Sequence, residues 1–177
     1  MFEIKDLNFG FIILCTDMNL NTLKSTIKSL SKSHSKCPII AVVPNNTKAD
    51  ILEKMKECAE VFKGKDTITS LMNTGLRNCP AEWGIFIMAG TWLKIKLANK
   101  FSRFIEDETD VLFPIANRIY DFKNATLDGL CINKKTFKKV GSFAEQGPIP
   151  KCKEKWSIYA SGLCNTKFKA ILGAQIL

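Results

Sequence analysis

Histidine is almost absent: the only one is His34, in the polar run Ser31-Lys-Ser-His-Ser-Lys36. A Ser-His-Asp arrangement is therefore excluded as a working expectation, and His34 reads as a solvated loop residue. The seven Cys contain no CxxC pair, their number is odd, and no clustered zinc ligands accompany them. Free thiols in a reducing compartment are expected. Arg is scarce, with three in the chain, and no RNP-like aromatic motif or helix-turn-helix pattern occurs. Specific nucleic-acid reading is disfavoured. No apolar run reaches the roughly 18 to 20 residues that a membrane helix needs. The start, Met1-Phe-Glu-Ile-Lys-Asp6, lacks a signal-peptide pattern, so a cytoplasmic location is the expectation. GxGxxG after the first strand, GxxxxGK[ST] and GxSxG are all missing. Dinucleotide binding, P-loop chemistry and a nucleophile elbow are set aside with them.

What is present suffices for a sizeable core. The chain has 177 residues, 46% of them hydrophobic, with twelve Phe, and is expected to form one domain over 1–177. The net charge is +9 and unevenly placed: from Lys134 to Leu177 nine Lys face two acids, Glu145 and Glu154. Such a face suits an anionic partner, whether phosphate, nucleotide, nucleic acid or acidic membrane, or is a solvated surface.

Strand and helix patterns alternate through the first hundred residues, which predicts a parallel α/β sheet with a more mixed second half. Phe9 to Cys15 is apolar on both faces, as a central parallel strand should be. Asn19 or Asn21 caps a helix with Leu23, Ile27 and Leu30 on one stripe and Lys and Ser on the other face. Pro38 to Val43 is a second strand, and Pro44 to Thr47 a turn or cap. A helix follows with Leu52, Met55, Ala59 and Phe62 in line, stopped by Gly64. Asp66-Thr67 starts a short helix that ends or bends at Asn73-Thr-Gly-Leu76. Leu97, Phe101, Phe104 and Ile105 mark a third amphipathic helix, and Glu106-Asp-Glu108 a solvated loop after it. Asp110 to Pro114 and Leu127 to Asn133 read as strands, Gly147 to Pro150 as a rigid loop, Glu154 to Leu163 as a helix, and Ala170 to Leu177 as a last strand. That last apolar segment completes the sheet or makes a subunit contact, so a homo-oligomer is one expectation.

The central stretch is Trp83-Gly-Ile-Phe-Ile-Met-Ala-Gly-Thr-Trp-Leu93. Trp83 to Met88 is a buried strand, and Ala89-Gly90-Thr91 breaks it with residues small enough to admit another group. In open α/β sheets, ligands bind where such a strand ends.

The order of segments resembles the family 2 type of nucleotide-sugar glycosyltransferases, with the GT-A fold, from about Phe9 to about Ile171. The matching pieces are Ile12 to Thr16, the helix from Leu23 to Ser29-Leu30, and the loop from Val42 to Asp50. Asn73-Thr74-Gly75-Leu76, Glu82-Trp83, the Lys134 to Glu145 segment and Glu154-Lys155-Trp156 continue the match. The resemblance implies a Rossmann-like, mostly parallel central sheet flanked by helices. It implies a nucleotide-diphospho-sugar donor, UDP-linked by the family's habit, and an acceptor it does not name. By position, Thr16, Asp17, Asn45 and Asp50 would hold the base and ribose, with Asn73, Ala89, Gly90 and Thr91 also facing the donor.

Two departures stand out. Where the family carries an Asp-x-Asp for a divalent metal, this chain has Met88, Ala89 and Gly90, and hard cations want carboxylate oxygens. No metal of the family type is expected. Where inverting members have a Glu-Asp pair to deprotonate the acceptor, this chain has Glu154-Lys155. Glu154 is the first candidate for that role and Glu145 the second. Lys151, Lys153 and Lys155 are candidates to neutralise the diphosphate in place of a metal. Two readings follow: a metal-independent transferase, or a catalytically inactive GT-A-like module that binds or assembles. A sugar nucleotidyltransferase is more distant, because its Gly-rich, Arg-containing loop after the first strand is missing.

Overall fold

Strands that are apolar on both faces need cover on both faces, and the fold supplies it. In the computed structural model, residues 8–16, 19–93, 97–105, 109–114, 125–164 and 166–171 are described. The elements are β1 (Phe9–Leu14), α1 (Leu20–Ser33), β2 (Ile39–Pro44), α2 (Ala49–Lys56), β3 (Glu60–Gly64), α3 (Ile68–Asn78) and β4 (Trp83–Met88). They are followed by α4 (Leu97–Ser102), β5 (Val111–Pro114), β6 (Cys131–Asn133), α5 (Lys134–Val140), α6 (Ile149–Cys164) and β7 (Phe168–Ile171). The strands form one sheet in the order β3-β2-β1-β4-β6-β5-β7. All pairings are parallel except those of β6, which runs against both β4 and β5. The α/β class and the mostly parallel sheet with a mixed second half are as expected.

Alternation along β1 sends its residues to two cores. Phe11, Ile13 and Cys15 pack with Leu23 and Leu30 of α1, Met55 of α2 and Phe101 of α4. Ile12 and Leu14 pack with Leu71, Met72 and Leu76 of α3, Phe137 of α5 and Trp156 of α6. The sheet therefore lies between α1, α2 and α4 on one side and α3, α5 and α6 on the other. Gly75 lets α3 settle onto β1: a Cβ there would lie 2.3 Å from Ile12 Cγ2. The Gly of the Asn-x-Gly-Leu signature is thus a packing residue, and α3 runs straight through it to Asn78 instead of bending.

Other expectations need correction. The stripe Leu52, Met55, Ala59, Phe62 is not one helix: α2 ends at Lys56, and Glu60–Gly64 is an edge strand paired with β2. Val61 and Phe62 pack against opposite cores, a period of two that overrides the coincidental helical spacing. The polar loop after α1 begins later than expected, since the helix runs to Ser33. His34 is buried, not solvated. Ala98 N–H donates to its Nε2 at 3.3 Å, Ser33 Oγ lies 2.7 Å from Nδ1, and Phe11 meets the ring edge-on at 4.7 Å. Nε2 thus accepts, and the hydroxyl of Ser33 absorbs the other ring nitrogen. Helix α6 starts at Ile149, inside the expected loop. The last strand is Phe168–Ile171, and 172–177 lie outside the described residues, as do Glu106 to Glu108. Cys15, Cys37, Cys58, Cys79, Cys131 and Cys152 are free thiols.

Candidate functional site

The C-terminal ends of β2, β1 and β4 open on one edge of the sheet, in that order, with Leu14 paired to both Val42 and Met88. Because β6 is reversed, its beginning meets the same edge, and the turn before it faces the turn after β4.

The turn after β4 is tight. Thr91 N–H closes it on Met88 O at 3.1 Å, and Gly90 takes the φ of +99° that a non-glycine residue resists. Helix α1 pins its outgoing arm with two hydroxyls one turn apart. Thr26 Oγ1 accepts from Gly90 N–H at 2.9 Å and donates to Thr91 O at 3.1 Å. Ser29 Oγ accepts from Leu93 N–H at 2.8 Å and donates to Leu93 O at 3.1 Å. Trp92 Nε1 donates to Ser25 Oγ, leaving the indole 50% exposed. Ala89 N–H is bound to Leu14 O at 3.0 Å. The amides of Ala89, Gly90 and Thr91 are thus all spent inside the chain, which leaves no backbone donor of this turn for a phosphate.

A carboxylate does reach the strand end, from elsewhere. Asp128 Oδ1 accepts from Met88 N–H at 2.6 Å and from Thr91 Oγ1 at 3.0 Å. Asp128 is held by its own turn, in which Leu130 N–H bonds Leu127 O at 3.0 Å and Gly129 has φ +79°. Gly129 N–H on Phe86 O and Phe86 N–H on Leu130 O, at 2.8 and 2.9 Å, fix that turn beside β4. Burial pushes the Asp128 carboxyl above its ordinary value, and the bonds from Met88 and Thr91 offset this in part. Asp128 was missed in the sequence because Leu127 to Asn133 reads as continuous strand. The Asp128-Gly129 pair was the available turn signal. The sequence pattern puts Ser on the outer face of α1 and does not single out Thr26, whereas Thr26 and Ser29 are both buried.

The residues expected at the donor separate into three groups. Thr16, Asn45 and Asp50 are exposed at the ends of β1 and β2 and in the first turn of α2. Asp17 lies outside the described residues. Asn73 and Lys153 are buried, at 0% and 2% exposure, and correct the expectation that they face the donor. The Asn73 amide clamps the backbone of Phe143 from both ends, donating to its carbonyl at 2.9 Å and accepting from its N–H at 2.8 Å. Lys153 Nζ donates to Ala125 O and so braces the segment that leads into Asp128. Lys151 and Lys155, by contrast, are exposed on α6.

The two candidate bases differ. Glu145 accepts from Lys65 Nζ at 2.9 Å, and this bond, helped by Asn73, holds its carboxyl below the ordinary value. Glu154 is half-buried in the first half of α6. As for a metal, Met88, Ala89 and Gly90 offer no side-chain oxygen. Among the described residues no group of three or more His, Cys, Asp or Glu is placed to hold one. Among the described residues, the strand end does not fit the metal that the resemblance implies.

No protein-family model matches the chain, and no curated protein matches it. Solved structures do. The chain is similar to the mannosyltransferase PcManGT from Pyrobaculum calidifontis, in complex with GDP-Man and Mn2+, with TM-score 0.74 and 8% identity over 98% of this chain. It is similar to S. aureus TarS 1–349 in complex with UDP, with TM-score 0.61 and 13% identity over 96% of this chain. The fold is GT-A-like. A cytidylyltransferase from Leptospira borgpetersenii shares the sheet as well, with TM-score 0.63, 12% identity and 94% of this chain covered. The chain spans 57% of the length of the mannosyltransferase, 59% of the TarS fragment and 76% of the cytidylyltransferase. Among the described residues, no helix is long and apolar enough to cross a membrane.

Proposed function

We propose that the chain is a glycosyltransferase of the family 2 type that takes a nucleotide-diphospho-sugar along the C-terminal edge of its sheet. One observation carries the reading: a GT-A-like sheet brings Thr16, Asn45 and the turn at 88–91 to a single edge. The base and ribose lie against the ends of β1 and β2, where exposed Thr16, Asn45 and Asp50 present hydrogen-bonding groups. The diphosphate lies toward β4. The amides there are spent, so its charge falls to lysines, and Lys151 and Lys155 are the exposed ones on α6. Glu154 takes the acceptor's proton. Glu145 is the weaker base, since its partner Lys65 favours the ionised form. This mechanism uses no divalent metal. A uridine diphosphate conjugate is our first choice of donor, a choice supported by the UDP bound to TarS 1–349.

The test is calorimetric titration with UDP and GDP, with manganese and with chelator. Saturable binding that chelator leaves unchanged is expected, weakened about tenfold by Lys151→Ala with Lys155→Ala, on the scale of charge-assisted bonds. Absence of binding at millimolar nucleotide overturns the reading, and strict dependence on manganese overturns its metal-independent part. The spent amides and the paired Glu145 favour one alternative, a module that binds without turnover. Binding with no release of nucleoside diphosphate from any nucleotide sugar assigns it.

A further inference from the structure

The strand end lacks the acids the resemblance leads one to look for, yet the fold delivers one carboxylate to it from 40 residues away. Only one of its oxygens is used. Oδ1 carries both donors, Met88 N–H and Thr91 O–H. Among the described residues no hydrogen bond reaches Oδ2 and no cation is paired with Asp128. Among the described residues no buried side-chain oxygen lacks a partner, so Oδ2 of this half-buried carboxylate faces water, which a ligand's donor can replace. The candidates within a nucleotide-diphospho-sugar are limited. Phosphate brings negative charge and no proton, so it is repelled. A hydroxyl brings the proton the carboxylate lacks.

Position distinguishes the ribose from the transferred sugar. The Asp128 carboxylate sits at the end of β4, and the sheet order β2-β1-β4 sets it two strand spacings from the end of β2, about 10 Å at the usual separation. That is the reach from a nucleoside at β1 and β2, across a diphosphate, to the sugar beyond it. We propose that Asp128 is a specificity-determining residue that accepts a hydrogen bond from a hydroxyl of the transferred sugar, in place of a metal-held diphosphate at this strand end. This rests on the donor reading above. Oδ1 meanwhile keeps the 88–91 turn in shape, and Lys153 holds the supporting segment through Ala125.

Asp128→Asn separates the two duties. Its carbonyl oxygen still accepts from Met88 and Thr91, while its NH2 replaces the acceptor with a donor. The probes are UDP and GDP against UDP-glucose and GDP-mannose, titrated into the full chain. The expected result is that Asp128→Asn keeps diphosphate affinity within about twofold. Its affinity for the better conjugate falls at least about tenfold, the scale for a lost bond to a charged group. Asp128→Ala, which also frees the turn, loses affinity for both kinds of probe. Equal affinity of wild type and Asp128→Asn for the conjugates overturns the proposal, as does an equal loss for diphosphate and conjugate. Wild-type protein that binds none of the four probes overturns the donor reading itself, and this inference falls with it.

Discussion

The turn after β4 and the ends of β1 and β2 share one sheet edge but are built in opposite ways. Around the turn, every amide from Ala89 to Thr91 has a partner within the chain, and Thr26, Ser29 and Asp128 are committed to holding it. At the ends of β1 and β2, Thr16, Asn45 and Asp50 stand exposed. The first region holds a shape, with one oxygen of Asp128 left over, and the second leaves its polar groups to solvent. The difference teaches that polar residues near a sheet edge are not interchangeable as site candidates: what each side chain already holds decides.

The largest effect should come from the clamps. Ser29→Ala strands the buried Leu93 N–H, and Thr26→Val strands that of Gly90. The first should cost about 1–3 kcal/mol in urea unfolding, and the second less, because Gly90 is exposed and water can take up its N–H. Next comes Asp128, whose carboxyl is raised by burial. A raised acid stabilises the fold most when protonated, and that contribution is lost as pH rises through the folded value. Asp128→Asn should therefore gain stability relative to wild type from acid toward neutral pH, seen as a growing difference in Tm. A constant difference would show that the carboxyl is not strained. Glu145 has the opposite sign, because Lys65 lowers its value. Its contribution is present above the ordinary glutamate range and fades as pH falls through the folded value. With Lys65 largely exposed, Glu145→Gln should cost less than about 1 kcal/mol at neutral pH, and the difference from wild type should close in acid. The smallest effect on stability belongs to Asn45→Ala, within about 0.5 kcal/mol, with loss of nucleotide affinity as its readout. If it destabilised the fold as much as Ser29→Ala, the contrast between the two regions would collapse.

The sequence carried the framework well where burial dictates pattern. Phe9 to Cys15 and Trp83 to Met88 are apolar throughout because both faces are covered, and their strands lie where the pattern puts them. Short-range spacing failed where a tertiary partner was decisive. Phe62 fits a helical stripe and a strand alike, and the open edge of β2 settles the matter. His34 sits among Ser and Lys, and packing by Phe11 of β1 and Ala98 of α4, both far from it in sequence, makes it a buried bridge. The site was half legible. Its edge and the small turn residues could be read, whereas the clamps could not. Thr26 lies 65 residues from Thr91, and Asp128 lies 40 from Met88. Residues assigned to the donor by resemblance, such as Asn73 and Lys153, are instead internal braces.

The reversed direction of β6 carries a consequence for the order of assembly. The turn at 88–91 borrows its shape from a helix made long before it and from a loop made well after it. Both closures carry the entropic cost of long chain segments. As the chain emerges during synthesis, α1 is already available when the turn appears, so one wall of the mouth can set early. The other wall waits until β6 lies down beside β4, so the 88–91 turn is completed in two stages.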